Sequence, residues 1–477
     1  MSLRKQAVTS MIWTYSQQFL TQILAFIVSV ILARILTPAE FGLIGMLTIF
    51  MGIGTALSDG GLTSSLIRSK EVSDRDYSTV FIFNLIGSVI IYLIIYFSAP
   101  YISLFYRQPQ LTLITRVYSI VFIFSAFGTV QNTILTRELK FKKQAMLSLP
   151  ALLIGSTVGL LLAYFGYGVW ALVFYAVINS LFTTLFLWIS SDWKPTLTFD
   201  RKLFHTHFHF GYKLTLSSIL DTIFTNAYQI LIGRFYGATL VGFYTRANSL
   251  MMLPVGNIST ALNKVVFPLF SQVQDDLPRF RTAYRQIMQI VLFVITPIMV
   301  IMGVEAKPLV IFLFTEKWLP MVPIFQIICF TGILYPIHLY NLLVLQVRGR
   351  SDLFLKLEII KKVILSIVIF ISYFLGFYAL LWGQLIFSII ALIINTHYAG
   401  NMLEYKLTQQ LKDIFPIFVF AVFMGVVVYF VDLTLENFNN FLRLCITTIS
   451  GVTVYFLTAL LFRSPIINDL KSIFLKK

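Results

Sequence analysis

Residues 31–46 read ILARILTPAEFGLIGM, an apolar run that turns at Thr37-Pro38 and opens a second apolar run. Two hundred residues further on, 231–246 read LIGRFYGATLVGFYTR and make the same passage. Aligned without a gap, Arg34 falls on Arg234 and Gly42 on Gly242. The polar residues repeat as well. Gln18, Thr21, Gln22 and Ser29 lie near one face at helical spacing. The same offset gives Ser218, Asp221, Thr222 and Gln229, joined by Thr225 and Asn226. A helix pair repeated with its polar stripe predicts two lobes in parallel topology, an arrangement that recurs among transporters.

Composition fixes the solvent. The chain is 58% hydrophobic and 12% charged, with a mean hydropathy of +0.85. Soluble domains carry about 25% charged residues. So much apolar surface must face a second apolar solvent, and windows of about 20 apolar residues, each long enough to cross a bilayer, recur along the chain. They predict an all-α polytopic membrane protein with about 14 transmembrane helices. The expected spans are 11–32, 41–61, 78–97, 113–135, 147–165, 169–189, 212–232, 240–261, 287–304, 321–345, 359–375, 379–399, 415–431 and 441–462. The eleventh is the weakest, because Lys356, Glu358, Lys361 and Lys362 crowd its start. With the repeat, this gives two pseudo-symmetric six-helix lobes, 1–200 and 201–400. Two C-terminal helices and a cytoplasmic tail follow in 401–477.

The basic residues set the expected orientation. With the N-terminus in the cytoplasm, 28 of the 36 Lys and Arg fall in inner segments. Only Arg34, Arg107, Arg234, Lys307, Lys317 and Arg443 fall in outer loops. That asymmetry supports an even number of spans with both termini inside. It also explains the net charge of +16 without nucleic acid. Cys329 and Cys445 sit in separate apolar runs and read as small buried hydrophobes rather than a disulfide. Arg4 and Lys5 precede a first apolar run too long for a signal core, so that run is expected to remain as a helix. No loop has room for a soluble domain. The longest outer one, 305–320, allows a re-entrant or interfacial turn.

Ionisable groups inside a bilayer usually face a bundle interior or a wet cavity. Arg246 falls two turns into the eighth span, and Arg116 about one turn into the fourth. Arg34 and Arg234 end the first and seventh. Guanidinium forks lining a cavity would suit a diphosphate. Snorkelling to headgroups suits Arg34, Arg116 and Arg234 equally well. Asp221, in the seventh span, fits an arginine partner, a coupling cation or proton, or a packing ion pair. Gln18, Gln22, Asn226 and Gln229 complete the polar set; amides of this kind can bond sugar hydroxyls or neighbouring helices. No metal or catalytic group is expected. Asp74-Arg75-Asp76 spells a glycosyltransferase DxD, but in a short inner loop without a nucleotide-binding domain. Of His205, His207 and His209, only the first and last share a helix face, which fits an interfacial lead-in better than a metal site.

Four stretches carry a family resemblance. They are ILARILTPAEFGLIGMLTIFMGIGTALSDGGLTSSLIR (31–68), GRFYGATLVGFYTRANSLMMLPVGNISTALNKVVFPLFSQVQDD (233–276), FTEKWLPMVPIFQ (314–326) and GRSD (349–352). In this order they resemble the Wzx-type polysaccharide (O-antigen) flippases, in the colanic-acid-like branch of the multidrug/oligosaccharidyl-lipid/polysaccharide exporter superfamily. The resemblance runs from about residue 5 to about residue 400. It implies two lobes around a central cavity in the bacterial inner membrane. It also implies alternating access that carries an undecaprenyl-diphosphate-linked repeat unit outward, for lipopolysaccharide, capsule or exopolysaccharide. On that resemblance Arg246, in the YTRA of the second stretch, is the residue to engage the diphosphate. Coupling to a Na+ or H+ gradient and contact with polysaccharide polymerase machinery are further expectations.

Two other classes compete. A multidrug or cation antiporter of the same superfamily would favour an acidic cavity, whereas two of the span-embedded charges here are arginines. A polytopic glycosyltransferase or polymerase would need a sizeable outer loop, and none is present.

Overall fold

In the computed structural model, residues 20–463 and Ile466 are described, and among them every regular element is helical. The described chain begins with α1 (Leu20–Ile35), α2 (Pro38–Asp59), α3 (Leu62–Arg68) and α4 (Asp74–Tyr106). It continues with α5 (Leu111–Tyr118), α6 (Ile120–Arg137), α7 (Phe141–Tyr164) and α8 (Trp170–Ser190). Next come α9 (Arg201–Thr225), α10 (Ala227–Tyr236), α11 (Ala238–Val273), α12 (Leu277–Val304) and α13 (Ala306–Phe314). The last are α14 (Met321–Val347), α15 (Ser351–Leu375), α16 (Phe377–Leu403), α17 (Leu407–Thr434) and α18 (Asn440–Leu461).

Among the described residues, ten helices are long and apolar enough to cross a membrane, and the bent α11 makes up to eleven. The expected fourteen is therefore not reached by that measure. The remaining three expected spans are helical but different in kind. One is the short apolar α1, one is the broken pair α9–α10, and one is α15 with its charged start.

Two expected spans are interrupted, and side-chain chemistry explains both breaks. The continuous helix expected over 212–232 stops at Asn226, whose φ/ψ of −96°/8° leaves the helical region. Its Nδ2 donates to the Thr222 carbonyl at 2.7 Å, so the side chain shares that acceptor with its own backbone N–H at 3.1 Å and competes for it where the helix breaks. The helix expected over 113–135 divides at Ser119, whose Oγ donates to the Arg116 carbonyl at 3.2 Å. The Thr37-Pro38 turn is built as its residues dictate. Thr37 caps α2, Pro38 needs no N–H at the first helical position, and Glu40 accepts from the Thr37 N–H at 2.6 Å.

Contacts divide the described chain into two compact units, one up to Gly242 and one from Phe243. In the first, α7 and α6 pack on α8, α4 on α6 and α2, and α9 on α2 and α3. The buried cluster of Leu62, Leu66, Val80, Phe81 and Val130 joins α3, α4 and α6. A buried relay also fastens α9 here. His207 Nδ1 lies 2.8 Å from Ser65 Oγ and its Nε2 3.0 Å from Asp76 Oδ1. Asp76 additionally accepts from the N–H of Ser73, the capping residue of α4. His207 is turned away from His205 and His209, as the spacing predicted, and no group of three metal-ligating side chains occurs among the described residues.

The second unit is held by α12 against α14 and α17, with α16 on α14 and α15, and α18 on α17. Its centre carries a chain of buried polar side chains. Tyr284 donates to Asn341 Oδ1 at 2.8 Å, and Asn341 Nδ2 to Thr396 at 3.1 Å. The 305–320 stretch, expected to be no more than a turn, forms α13 and a 3-10 turn at Glu316–Trp318. Trp318 is fully buried there between Phe243 and Phe314.

Glu305, at the α12–α13 joint, is 1% exposed, and both its carboxyl oxygens lack a hydrogen-bond partner. Burial, then the nearby Asp432 carboxylate, push its carboxyl up to about 7, while Arg443 opposes them. A raised carboxyl favours the folded state while it holds its proton. The stabilisation is complete below the ordinary value of 4.5 and is lost as pH rises through about 7. Glu305→Gln is expected to flatten this slope and to gain up to about 3 kcal/mol at pH 8. Thermal unfolding of both proteins in detergent between pH 4.5 and 8.5 checks it; parallel curves would show that Glu305 is ionised throughout.

Candidate functional site

The stretches 31–46 and 231–246 meet in space. A Cβ on Gly42 would lie 1.7 Å from the Ala238 carbonyl oxygen, and one on Gly242 would lie 1.8 Å from the Pro38 carbonyl oxygen. The 200-residue offset thus relates the two sides of one contact, Pro38 with Gly42 and Ala238 with Gly242. Backbone touches backbone, and only glycine fits. Further along α2, Gln229 donates to the Gly45 carbonyl, and Gly52 faces the Thr222 methyl. Beyond its end, Gly61 approaches the Gly211 backbone so closely that an added Cβ would lie 2.4 Å from the Gly211 carbonyl oxygen. Small residues on α2 and its flanks therefore bring α9, α10 and the first turn of α11 to backbone distance.

The basic candidates occupy different settings. Arg116 lies on α5, its guanidinium 4.3 Å from the centre of the Tyr96 ring. Its Nε donates to the Tyr96 carbonyl at 3.3 Å. That carbonyl is orphaned by Pro100, which sits four residues on inside α4 and has no N–H to offer. Arg234 donates to the Leu104 and Phe105 carbonyls at the C-terminus of α4 and stands 5.2 Å over the Phe105 ring. A cation is favoured at that helix end. Arg116 and Arg234 thus serve one helix, about eight residues or 12 Å apart along it. Arg34 is exposed in the last turn of α1. Arg246 is half-buried on α11, about 12 Å from its first residue, and belongs to the second unit.

If Arg116 substitutes for the missing proline donor, its loss should depend on Pro100. Arg116→Ala is expected to cost about 1–3 kcal/mol in the native background. In Pro100→Ala, where residue 100 regains its N–H, the cost should fall by at least half. Unfolding of the four proteins gives the coupling; additive effects would remove this role.

Among the polar candidates, Asp221 is exposed four residues before the end of α9, and Asn226 forms the break. Gln229 binds α2 as described, and Gln22 is half-buried on α1. Gln18 lies outside the described residues. The structure therefore brings Gln229 onto α2 and joins Arg116 and Arg234 through α4. Sequence reasoning missed both the α4 carbonyls as partners and the buried Glu305; an in-span proline twenty residues or fewer before an arginine was the available signal for the first.

Solved structures share the fold. The chain matches a lipid II flippase, MurJ, in an inward closed conformation with a TM-score of 0.76 at 17% identity, over 96% of this chain and 100% of that one. An inward-facing multidrug resistance MATE transporter of the MOP superfamily matches with a TM-score of 0.60 at 18% identity, over 80% and 96%. The chain thus shares the fold of these two membrane proteins. The family follows from sequence: a family model described as polysaccharide biosynthesis protein matches residues 31–323, and the chain belongs to that family. The teichuronic acid biosynthesis protein TuaB of Bacillus subtilis is 24% identical over 459 residues, 95% of each chain. The lipopolysaccharide biosynthesis protein WzxC of Escherichia coli is 25% identical over 363 residues, 76% of this chain and 74% of that one.

Proposed function

We propose that this protein is a flippase that carries undecaprenyl-diphosphate-linked oligosaccharide repeat units from the inner to the outer leaflet of the bacterial plasma membrane. It works as a transporter, not an enzyme, and supplies surface polysaccharide synthesis. The observation that carries the reading is a transporter fold matched over nearly the whole chain together with membership of a polysaccharide biosynthesis family. Arginine within a span, at Arg246, suits an anionic diphosphate better than a cationic drug. The distribution of Lys and Arg supports both termini in the cytoplasm. Transport proceeds by alternating access, drawing on a proton or sodium gradient, and hands its product to the polymerase that joins repeat units.

Depleting the protein in its own cells tests this. Lipid-linked repeat units should accumulate on the cytoplasmic leaflet, shielded from a membrane-impermeant periodate or lectin probe. Accumulation on the outer leaflet would place the block after translocation and overturn the reading.

A further inference from the structure

A second feature of the first unit has no part in the site above. Helices α6 and α7 both pack on α8 but scarcely touch one another, and a cavity of about 630 Å³ lies between the three. Its size is that of a small-molecule pocket. Each helix lines it with a polar stripe at helical spacing: Ser125, Thr129 and Asn132 on α6, Gln144 and Ser148 on α7, and Tyr175, Asn179 and Thr183 on α8.

Part of this set is spent on internal bonds. Gln144 donates to Asn132 Oδ1 at 3.0 Å and closes one end, while Ser125 and Ser180 share a bond of 3.1 Å. Asn179 and Thr183 take part in no side-chain hydrogen bond among the described residues and line the open space. Three polar stripes converging within membrane-spanning helices demand water or a polar ligand. The lining contains no Asp, Glu, Lys, Arg or His. It therefore offers a diphosphate no cation and a metal ion no carboxylate. Amides and hydroxyls that both donate and accept match a neutral polyhydroxylated molecule.

We propose that this cavity is a binding subsite for a neutral sugar of the carried glycan, with Asn179 and Thr183 reading its hydroxyls. The inference rests on the flippase reading for the source of the sugar. It separates two tasks in the chain, cations for the diphosphate and an uncharged pocket on α6, α7 and α8 for the glycan. Specificity for one repeat unit over another then resides in α8. A site built to hydrogen-bond a hydroxyl discriminates strongly against an analogue that leaves its polar groups unpaired.

The test uses the full chain with Cys445→Ser, so that a new cysteine at Thr183→Cys is the accessible thiol. The probe is the lipid-linked repeat unit purified from the source cells, with undecaprenyl diphosphate lacking sugar as control. A small water-soluble maleimide should label residue 183, the repeat unit should slow labelling about fivefold or more, and the sugar-free lipid should not. Adding Asn179→Leu should abolish protection, and Asn179→Gln should restore part of it. No labelling, or equal protection by the two lipids, overturns the subsite. Asn179→Leu that retains full protection overturns it too. Protection without any lipid movement in liposomes would leave the subsite standing and remove the flippase reading. Movement without protection would do the reverse.

Discussion

Alanine at Gly42 or Gly242 is expected to be the most damaging one-methyl change in the chain. Each new Cβ would stand under 2 Å from a backbone oxygen of the opposing helix, Ala238 in one case and Pro38 in the other. A carbonyl oxygen within a helix cannot rotate away as a side chain does, so the helices must separate by more than 1 Å to reach ordinary contact. Overpacking of a tight interior costs about 1–3 kcal/mol, and a backbone-to-backbone clash belongs at or above the upper end. Each single change should therefore cost about 3 kcal/mol or more. The double substitution should cost clearly less than the sum, because one separation relieves both clashes. Thermal unfolding in detergent measures this. Additive losses would mean that the two glycines do not share one contact.

The second large effect falls on transport. Arg246→Ala is expected to lower flipping of a diphosphate-linked lipid roughly 10- to 100-fold, the value of one charge-assisted bond to phosphate. Arg246→Lys should recover part of the rate, since the charge returns without the planar fork. Arg116→Ala and Arg234→Ala, which remove partners of α4 carbonyls, should lower stability more than they lower the rate per folded molecule. Initial flipping rates normalised to folded protein separate these cases. A normal rate in Arg246→Ala would dismiss it as the diphosphate anchor.

Much of this was legible in the sequence because it depends on local rules. The Thr37-Pro38 turn, the helical class and the correspondence of Gly42 with Gly242 follow from spacing within or between similar segments, whereas the contact between those two positions appears only in the structure. What escaped depends on where separate segments meet. Nothing in the hydropathy of 212–232 distinguishes an Asn226 that bonds its neighbours from one that bonds its own backbone. Arg116 read as a cavity cation or a snorkelling one; its partner is a carbonyl freed by Pro100 on another helix. Each polar stripe around the α6–α8 cavity is visible alone, and only packing shows that the three converge. Glu305 looked like a loop residue, and its burial is set by α17 and α18, more than a hundred residues away.

The central claim is that this chain moves lipid-linked oligosaccharide across a bilayer. Purified protein in liposomes, loaded with a fluorescent undecaprenyl-diphosphate oligosaccharide and exposed to a membrane-impermeant quencher, measures that directly. Wild type, under an imposed proton or sodium gradient, is expected to render the inner-leaflet pool quenchable while protein-free liposomes stay half protected. Inner-leaflet fluorescence that persists across the native repeat unit and both gradients would contradict it.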